Sequence, residues 1–139
     1  MKPHGLSDAD YRALAEFRRG LRGFLDFSDN AARDAGLTPV QHQLMLAIRG
    51  APGRGAPSLG DVADALHLKL HSAGELVGRA EANGLVVRSE DPLDARRVLL
   101  ALSAEGEEKL AELSRIHRNE LRRFRTELDA LLTYLGDLD

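Results

Sequence analysis

The sequence predicts a mainly α-helical protein with one small β-hairpin, and two observations lead to that prediction. Ser58 and Asp61 form a capping-box signature directly before an apolar run, and a second helix follows and ends at Gly84. Two β-rich runs, 85–90 and 96–102, are then joined by a polar loop, as in a hairpin with its tip in solvent. Two short helices followed by such a hairpin form a winged helix-turn-helix, an arrangement that binds duplex DNA.

The second of these helices has two chemically different faces. Apolar residues at helical spacing form one stripe, which consists of Ala73, Leu76, Val77 and Ala80. The opposite face carries His71, Ser72, Glu75 and Arg79. These side chains can hydrogen-bond to base edges or phosphates, as a helix in the major groove must. An ordinary solvated face of an amphipathic helix has the same composition, so both interpretations remain open for this helix alone.

A long helix is predicted before this region. Ser7 and Asp10 form its capping box, and it runs to about Ala35. Gly20 and Gly23 lie inside it and indicate a bend or close packing against another backbone. Its apolar stripe contains Tyr11, Leu14, Phe17, Leu21, Phe24, Leu25 and Phe27.

A shorter helix is predicted to begin at the Thr38, Pro39 and Gln41 start signals and to end at Gly50. Its inward face is predicted to contain Val40, Leu44, Ala47 and Ile48. The segment 51–57 that follows is predicted to be a flexible loop.

The last helix is predicted over 104–135, with Ser103 as its cap and a kink near Arg125 as one option. Its apolar residues repeat mostly at threes and fours: Leu110, Leu113, Ile116, Leu121, Phe124, Leu128, Leu131, Leu132 and Leu135. A continuous helix of this length spans roughly 50 Å, too long to bury against so small a domain. The apolar stripes of helices 7–35 and 104–135 therefore need a partner, and a second copy of the chain is the economical one. We expect a homodimer.

The segments around the hairpin have the order and spacing of a known family. They are the run 66–84, the strand Leu85-Val86-Val87-Arg88, the run 91–97 with its Asp94-Ala95-Arg96 element, and Leu102-Ser103-Ala104-Glu105-Gly106. This arrangement resembles the MarR family of bacterial transcriptional regulators, and the flanking helices extend the resemblance to nearly the whole chain. It implies a single domain over 1–139 with the winged lobe at 58–102.

The resemblance also implies which residues contact DNA. The family's recognition helix falls on 70–83, and Arg96 would enter the minor groove with Asp94 holding the loop. Arg97 would lie near the phosphate backbone, and Arg79 would contact phosphate or brace the hairpin. The complete predicted set is Lys69, Leu70, His71, Ser72, Glu75, Arg79, Arg88, Asp94, Arg96 and Arg97.

Three positions depart from the family pattern. Gly78 stands where the family often has Asp, and Ala95 stands where a further Arg is common. Glu75 faces the groove side, where an anion repels phosphate unless it accepts from a cytosine amino group or neutralises Arg79. These departures bear on the operator sequence more than on DNA binding.

MarR-like dimers hold a small aromatic or phenolic effector between the dimerising helices and the winged lobe, and binding releases DNA. The resemblance therefore implies a candidate pocket lined by Phe17, Phe24, Phe27, His42, Met45 and Ile116. The alternative is that all six are core residues. We interpret His42 and His117 as hydrogen-bonded structural histidines.

Composition excludes several other functions. The chain has no cysteine, so it forms no disulfide or thiolate metal site. His67 and His71 have a zinc-compatible spacing, but a turn separates them and no third ligand is near. No catalytic spacing is evident, so no enzyme and no cofactor are predicted. The absence of a signal peptide or membrane span predicts a soluble, cytoplasmic protein without a membrane partner.

Charge leaves two functions open. The net charge is −3, and the region 67–97 holds as many acidic as basic residues: Lys69, Arg79, Arg88, Arg96 and Arg97 against Glu75, Glu81, Glu90, Asp91 and Asp94. We predict a homodimeric regulator, a repressor, that binds double-stranded DNA at a pseudo-palindromic operator, with release by a small ligand as an option. The alternative is a winged-helix protein-interaction module without DNA binding. Neutral charge, Glu75 and Gly78 favour that alternative, whereas Arg96 and Arg97 oppose it.

Overall fold

The computed structural model describes residues 5–136. Within them, helices and strands follow in the order α1 (Asp8–Asp34), α2 (Pro39–Arg49), α3 (Leu59–Ala65), α4 (Leu70–Ala82), β1 (Val86–Asp91), β2 (Asp94–Leu102) and α5 (Ala104–Gly136). The predicted mainly helical fold with a hairpin is confirmed. The chain forms two compact units: residues 5–31 with 115–136, and Ala32–Ser114. We call the second the winged unit.

Three helices begin with the capping boxes that the sequence predicts. In each box a hydroxyl oxygen accepts a backbone N–H three residues on, and the residue there accepts the N–H of the cap. The hydroxyl distances are 3.2 Å for Ser7, 3.1 Å for Thr38 and 3.1 Å for Ser58. These contacts define the first turns of α1, α2 and α3.

The first unit packs α1 against the carboxyl-terminal part of α5. The ring centroids of Phe17 and Phe24 each lie 6.3 Å from that of Phe124. A methyl group at Gly20 would lie 2.6 Å from the Phe124 ring, whereas one at Gly23 would meet nothing within 4 Å. Close packing is therefore found at Gly20 only, and it is against a side chain and not, as predicted, against another backbone.

The long helix α5 is helical throughout Ala104–Gly136, so the optional kink near Arg125 does not interrupt it. The Leu135 side chain, which the sequence places in the apolar stripe, lies outside the described residues. Neither α5 nor any other helix within residues 5–136 has the length and apolar character needed to cross a membrane.

The core of the winged unit contains the predicted stripe of α4, and all four of its residues are buried. Val40 was predicted to face inward, but this is wrong because its side chain is 47% exposed. The helix α2 is rotated relative to the prediction, so that its buried residues are Gln41, His42, Leu44, Met45 and Ile48. The polar Gln41 is inside because its side chain accepts the Thr38 N–H in the capping box.

The hairpin, which we call the wing, is tighter than predicted. Its strands extend to Asp91 and Asp94, so Pro92 and Leu93 alone form the turn instead of a loop over 91–95. A register irregularity lies between Glu90 and Asp91. Asp91 and Asp94, which were predicted to lie in a loop, accept backbone N–H groups of Leu93 and Arg96 at the tip.

The segment before α3 adds a short pairing to the wing. Ser58 forms an isolated antiparallel bridge with Leu99, and the Leu100 N–H donates to the Pro57 carbonyl at 2.9 Å. The sequence predicted only a flexible loop over 51–57. These pairings attach the start of the helix-turn-helix to the wing.

The junction between α4 and α5 is compact. Gly84 has φ +75°, which ends α4 in the left-handed conformation that glycine tolerates best. The Ser103 hydroxyl donates to the Gly84 carbonyl at 2.6 Å and accepts the Gly106 N–H at 3.0 Å. A methyl group at Gly106 would overlap the Leu85 carbonyl oxygen. This explains why the sequence has Ser and Gly three residues apart here.

Candidate nucleic-acid interface

The first turn of α4 presents polar side chains to solvent. Lys69 is the N-cap residue and makes no side-chain capping bond, so its ammonium group is not used by the helix start. Leu70, His71 and Ser72 follow and are exposed. With Glu75 and Arg79 they form what we call the outer face of α4, opposite the buried stripe, as predicted.

Glu75 is paired differently from the prediction. Its Oε1 lies 3.1 Å from His71 Nε2, so neutralisation of Arg79 by Glu75, one of the two predicted options, is wrong. The Glu75 carboxylate, which could accept a hydrogen bond from a cytosine amino group, is therefore in contact with His71 in this structure.

Two cations of the outer face are free. Lys69 and Arg79 are exposed, and neither forms a salt bridge to any residue between 5 and 136. Exposed and unpaired cations on one helix face are suited to phosphate contacts, because no internal partner has to be displaced.

Arg88, in β1, is directed toward α4. Its Nε lies 3.2 Å from Glu81 Oε1, and its Nη2 is 3.5 Å from the Gly74 carbonyl oxygen. A methyl group at Gly78 would touch this guanidinium at 3.6 Å. The glycine that departs from the family pattern thus lies beside an arginine that connects the wing to α4.

The tip of the wing carries Arg96 away from the protein surface. Its side chain is 93% exposed, and its only ion-pair partner among the described residues is Asp94, at 3.4 Å. Asp94 Oδ1 also accepts the Arg96 backbone N–H at 3.0 Å. The predicted role of Asp94, to hold the loop, agrees with this bond.

The Arg97 side chain is directed toward α3. Its guanidinium lies 3.5 Å from a carboxylate oxygen of Asp61 and 3.5 Å from one of Asp91. Hydrogen bonds from the Ser58 backbone and hydroxyl lower the pKa of Asp61, and Arg97 contributes a smaller lowering. In this structure Arg97 joins the wing tip to the start of α3.

The predicted DNA-contacting arginines therefore fall into two groups. Arg79 and Arg96 project into solvent, whereas Arg88 and Arg97 connect the wing to α4 and α3. The sequence did not predict these pairs, because Asp61 is distant from Arg97 along the chain and Glu81 is separated from Arg88 by the bend between α4 and β1.

The six candidate effector-contacting residues are divided between the two units. Phe24 and Phe27 surround His117, with ring-centroid distances of 6.0 and 5.8 Å, and Phe17 lines an open cleft of about 410 Å³. Ile116 is partly exposed in the same unit. His42 and Met45 are buried in the winged unit.

His117 has the structural role that the sequence predicts, since its Nε2 lies 2.7 Å from the Ser28 hydroxyl. No group of three potential metal ligands occurs in the part of the chain that the structure describes.

The helices α3 and α4, the wing, and the exposed outer face of α4 together define a winged helix-turn-helix protein. A family profile described as MarR family matches residues 35–97, which include α2, α3, α4 and most of the wing. Over these residues, which are fewer than half of the chain, the sequence is similar to the MarR family, and its relatives include transcriptional regulators.

Two relatives of similar sequence are described as transcriptional regulators. The HTH-type transcriptional regulator YkoM of Bacillus subtilis is 28% identical over 109 residues, which are 76% of this chain and 69% of YkoM. The transcriptional regulator HosA of Escherichia coli is 40% identical over 75 residues, which are 54% of this chain and 53% of HosA. The match thus spans about half the length of HosA.

Solved structures show the same fold. A mutant of S. aureus MepR bound to an oligodeoxyribonucleotide has a TM-score of 0.71 and 19% identity, with 88% of this chain and 95% of that chain covered. Bordetella bronchiseptica BpsR, whose DNA binding is regulated by 6-hydroxynicotinic acid, has a TM-score of 0.62 and 25% identity, with coverages of 88% and 91%.

Proposed function

We infer that this protein is a homodimeric repressor that binds a pseudo-palindromic DNA operator. The outer face of α4 enters the major groove, and Arg96 at the wing tip enters the adjacent minor groove. The observation that carries this proposal is the placement of exposed cations. Lys69 and Arg79 on α4, and the 93% exposed Arg96 on the wing, belong to one compact unit and face solvent.

A homodimer follows from the apolar surface of the first unit. Tyr11, Leu14, Leu21 and Leu25 are exposed along α1, and Leu121 and Leu132 are exposed along α5. On α1 these residues recur at threes, fours and sevens, the spacing with which two helices pack together. A second copy supplies an identical complementary surface, and its two-fold symmetry requires an operator with matching symmetry.

Repression is the simplest consequence of such binding, because a dimer on promoter DNA excludes polymerase from the same site. Release by a small aromatic ligand is part of the proposal, and the regulation of BpsR by 6-hydroxynicotinic acid supports it by analogy. The protein would act in the cytoplasm, where bacterial promoter DNA is found.

One observation favours the alternative of a protein-interaction module. Arg88 and Arg97, two of the five cations of the lobe, are already paired with Glu81, Asp61 and Asp91. Fewer cations remain for phosphates, so weak nonspecific DNA binding and a shallow salt dependence are expected for a regulator.

The test is fluorescence anisotropy on labelled DNA from directly upstream of the protein's own coding sequence. Wild type, Arg96→Ala and the control Arg54→Ala are compared at two salt concentrations with unlabelled competitor DNA. Arg54 is an exposed arginine in the loop before α3. We expect Arg96→Ala to weaken binding by about tenfold or more, because a groove-bound guanidinium contributes roughly 1–3 kcal/mol.

The control should bind within about twofold of the wild type, since it removes the same charge from outside the interface. Wild-type binding that equals its binding to random DNA, with no effect of Arg96→Ala, would favour the interaction module. A selection of duplexes from a random library by the full chain then distinguishes two explanations. A preferred duplex indicates an operator elsewhere, and no preferred duplex supports the interaction module.

A further inference from the structure

Leu93, at the tip of the wing, is exposed to an unusual degree for an apolar side chain. It is 95% exposed, whereas the next most exposed large apolar side chain within residues 5–134, Leu70, is 58% exposed. Turn positions in solvent favour Gly, Asn, Asp, Ser or Pro, and the folded chain gains nothing from a leucine without apolar contacts. Leu93 therefore contributes to the surface of the protein and not to its stability.

The tip holds Leu93 in a defined position. Pro92 fixes its own φ, and Asp91 Oδ1 accepts the Leu93 backbone N–H at 2.9 Å. Asp91 is in turn within 3.5 Å of the Arg97 guanidinium, which also contacts Asp61 at the start of α3. Because the backbone is ordered by these contacts, little conformational entropy would be lost when the tip meets another surface.

Leu93 also lies beside the other projecting side chain of the wing. Arg96 follows it by three residues and is 93% exposed, with its backbone N–H held by Asp94. Leu93 and Arg96 thus form a tip with one apolar and one cationic side chain. Leu93 lies in the two-residue turn, and Arg96 lies in β2 between Asp94 and Val98, where the pairing of the strands is irregular.

We propose that Leu93 packs against the deoxyribose walls of the minor groove at the site where Arg96 enters it. This proposal rests on the function proposed above and adds a residue to its DNA contacts. The minor groove is about 6 Å wide and is lined by apolar sugar carbons, which an aliphatic side chain can cover. Apolar side chains, leucine among them, are used together with arginine by proteins that bind this groove. Covering Leu93 removes apolar surface from water without adding a phosphate contact.

The test measures DNA affinity against salt concentration for wild type, Leu93→Ala, Leu93→Met and the control Leu46→Ala. The probe is the labelled duplex that binds wild type, either the upstream DNA or a duplex selected from a random library. Leu46 is also an exposed leucine of the winged unit and lies on α2. We expect Leu93→Ala to bind roughly fivefold to tenfold more weakly, with a salt slope parallel to that of wild type.

Leu93→Met should restore affinity to within about twofold, because it keeps the apolar volume. Equal binding of Leu93→Ala and wild type would overturn the proposal, as would a shallower salt slope, which indicates lost phosphate contacts and a displaced wing. Wild type that binds no duplex would instead contradict the proposed function. Thermal unfolding of each variant verifies that the folded protein is compared.

Discussion

Arg88 Nε lies 3.2 Å from Glu81 Oε1, so an arginine of the first wing strand is attached to the helix that we propose reads the major groove. Both side chains are more than one third exposed, and the pair contributes little to stability in such a solvated position. Its consequence is geometric. The contact holds the wing and α4 together. It also pairs Arg88 with a carboxylate, so that one fewer cation is available to contact phosphate.

This relationship predicts that Arg88→Ala and Arg79→Ala differ in their effects. Arg88→Ala should lower the free energy of unfolding by about 0.5 kcal/mol and leave the salt slope of DNA binding unchanged. Arg79→Ala should leave stability within about 0.5 kcal/mol and reduce the slope by about 0.9, because one phosphate contact is lost. Urea unfolding and anisotropy at several salt concentrations measure both quantities. If Arg88→Ala reduces the slope as much as Arg79→Ala, Arg88 exchanges Glu81 for phosphate on DNA.

A second prediction concerns the junction between α4 and α5. Gly106→Ala should destabilise the winged unit by roughly 1–3 kcal/mol, because the new methyl group overlaps the Leu85 carbonyl oxygen and the backbone must shift. Gly23→Ala is the matched control, since a methyl group there meets nothing within 4 Å. The control should gain about 0.5–1 kcal/mol from its helix position. Chemical denaturation measures the free energy of unfolding of both variants. Equal effects of the two substitutions would contradict the close approach of Gly106 to the Leu85 carbonyl.

A third prediction concerns pH. The Ser58 hydrogen bonds hold the pKa of Asp61 below its usual value of 3.8. A carboxyl whose folded pKa is lowered stabilises the fold above its unfolded pKa, and this contribution is lost as pH falls through the folded pKa. Asp61→Asn should therefore be less stable than wild type at neutral pH, and the difference should shrink below pH 3.8.

Thermal unfolding between neutral and acidic pH checks this expectation. Asp64→Asn, on the same helix, is the control for removing a negative charge. A gap between Asp61→Asn and wild type that stays constant down to the lowest pH would show that the carboxylate charge is not what stabilises the start of α3.

The fourth prediction tests the proposed dimer. Leu25 is 51% exposed in the apolar stripe of α1, and Leu25→Glu should convert the dimer to monomer at micromolar concentration by placing a charge in the interface. Leu46→Glu introduces the same side chain at a 52% exposed position of the winged unit and should leave the dimer intact. Light scattering after size exclusion measures the mass. A wild-type monomer, or a Leu25→Glu dimer, would contradict this interface.

Most elements of the fold could be predicted because their signals are local. The capping residues Ser7, Thr38 and Ser58 each bond to a residue three positions on, and such bonds form whenever the segment is helical. The buried stripe of α4 follows from the helical period alone. The orientation of α2 did not follow, since Val40 is exposed and Gln41 is buried. The Gln41 side chain accepts a backbone N–H in the capping box, and hydrophobic periodicity does not predict such a bond.

The sequence alone therefore determined the helices, the wing, the family resemblance and which cations belong to the proposed interface. Only the tertiary structure decided which of those cations are free. Arg97 meets Asp61 across 36 positions of the chain, and Arg88 meets Glu81 across the bend between α4 and β1. The interaction of two charges depends on the distance between them in space. These charges come close together only when the hairpin has folded against the helices.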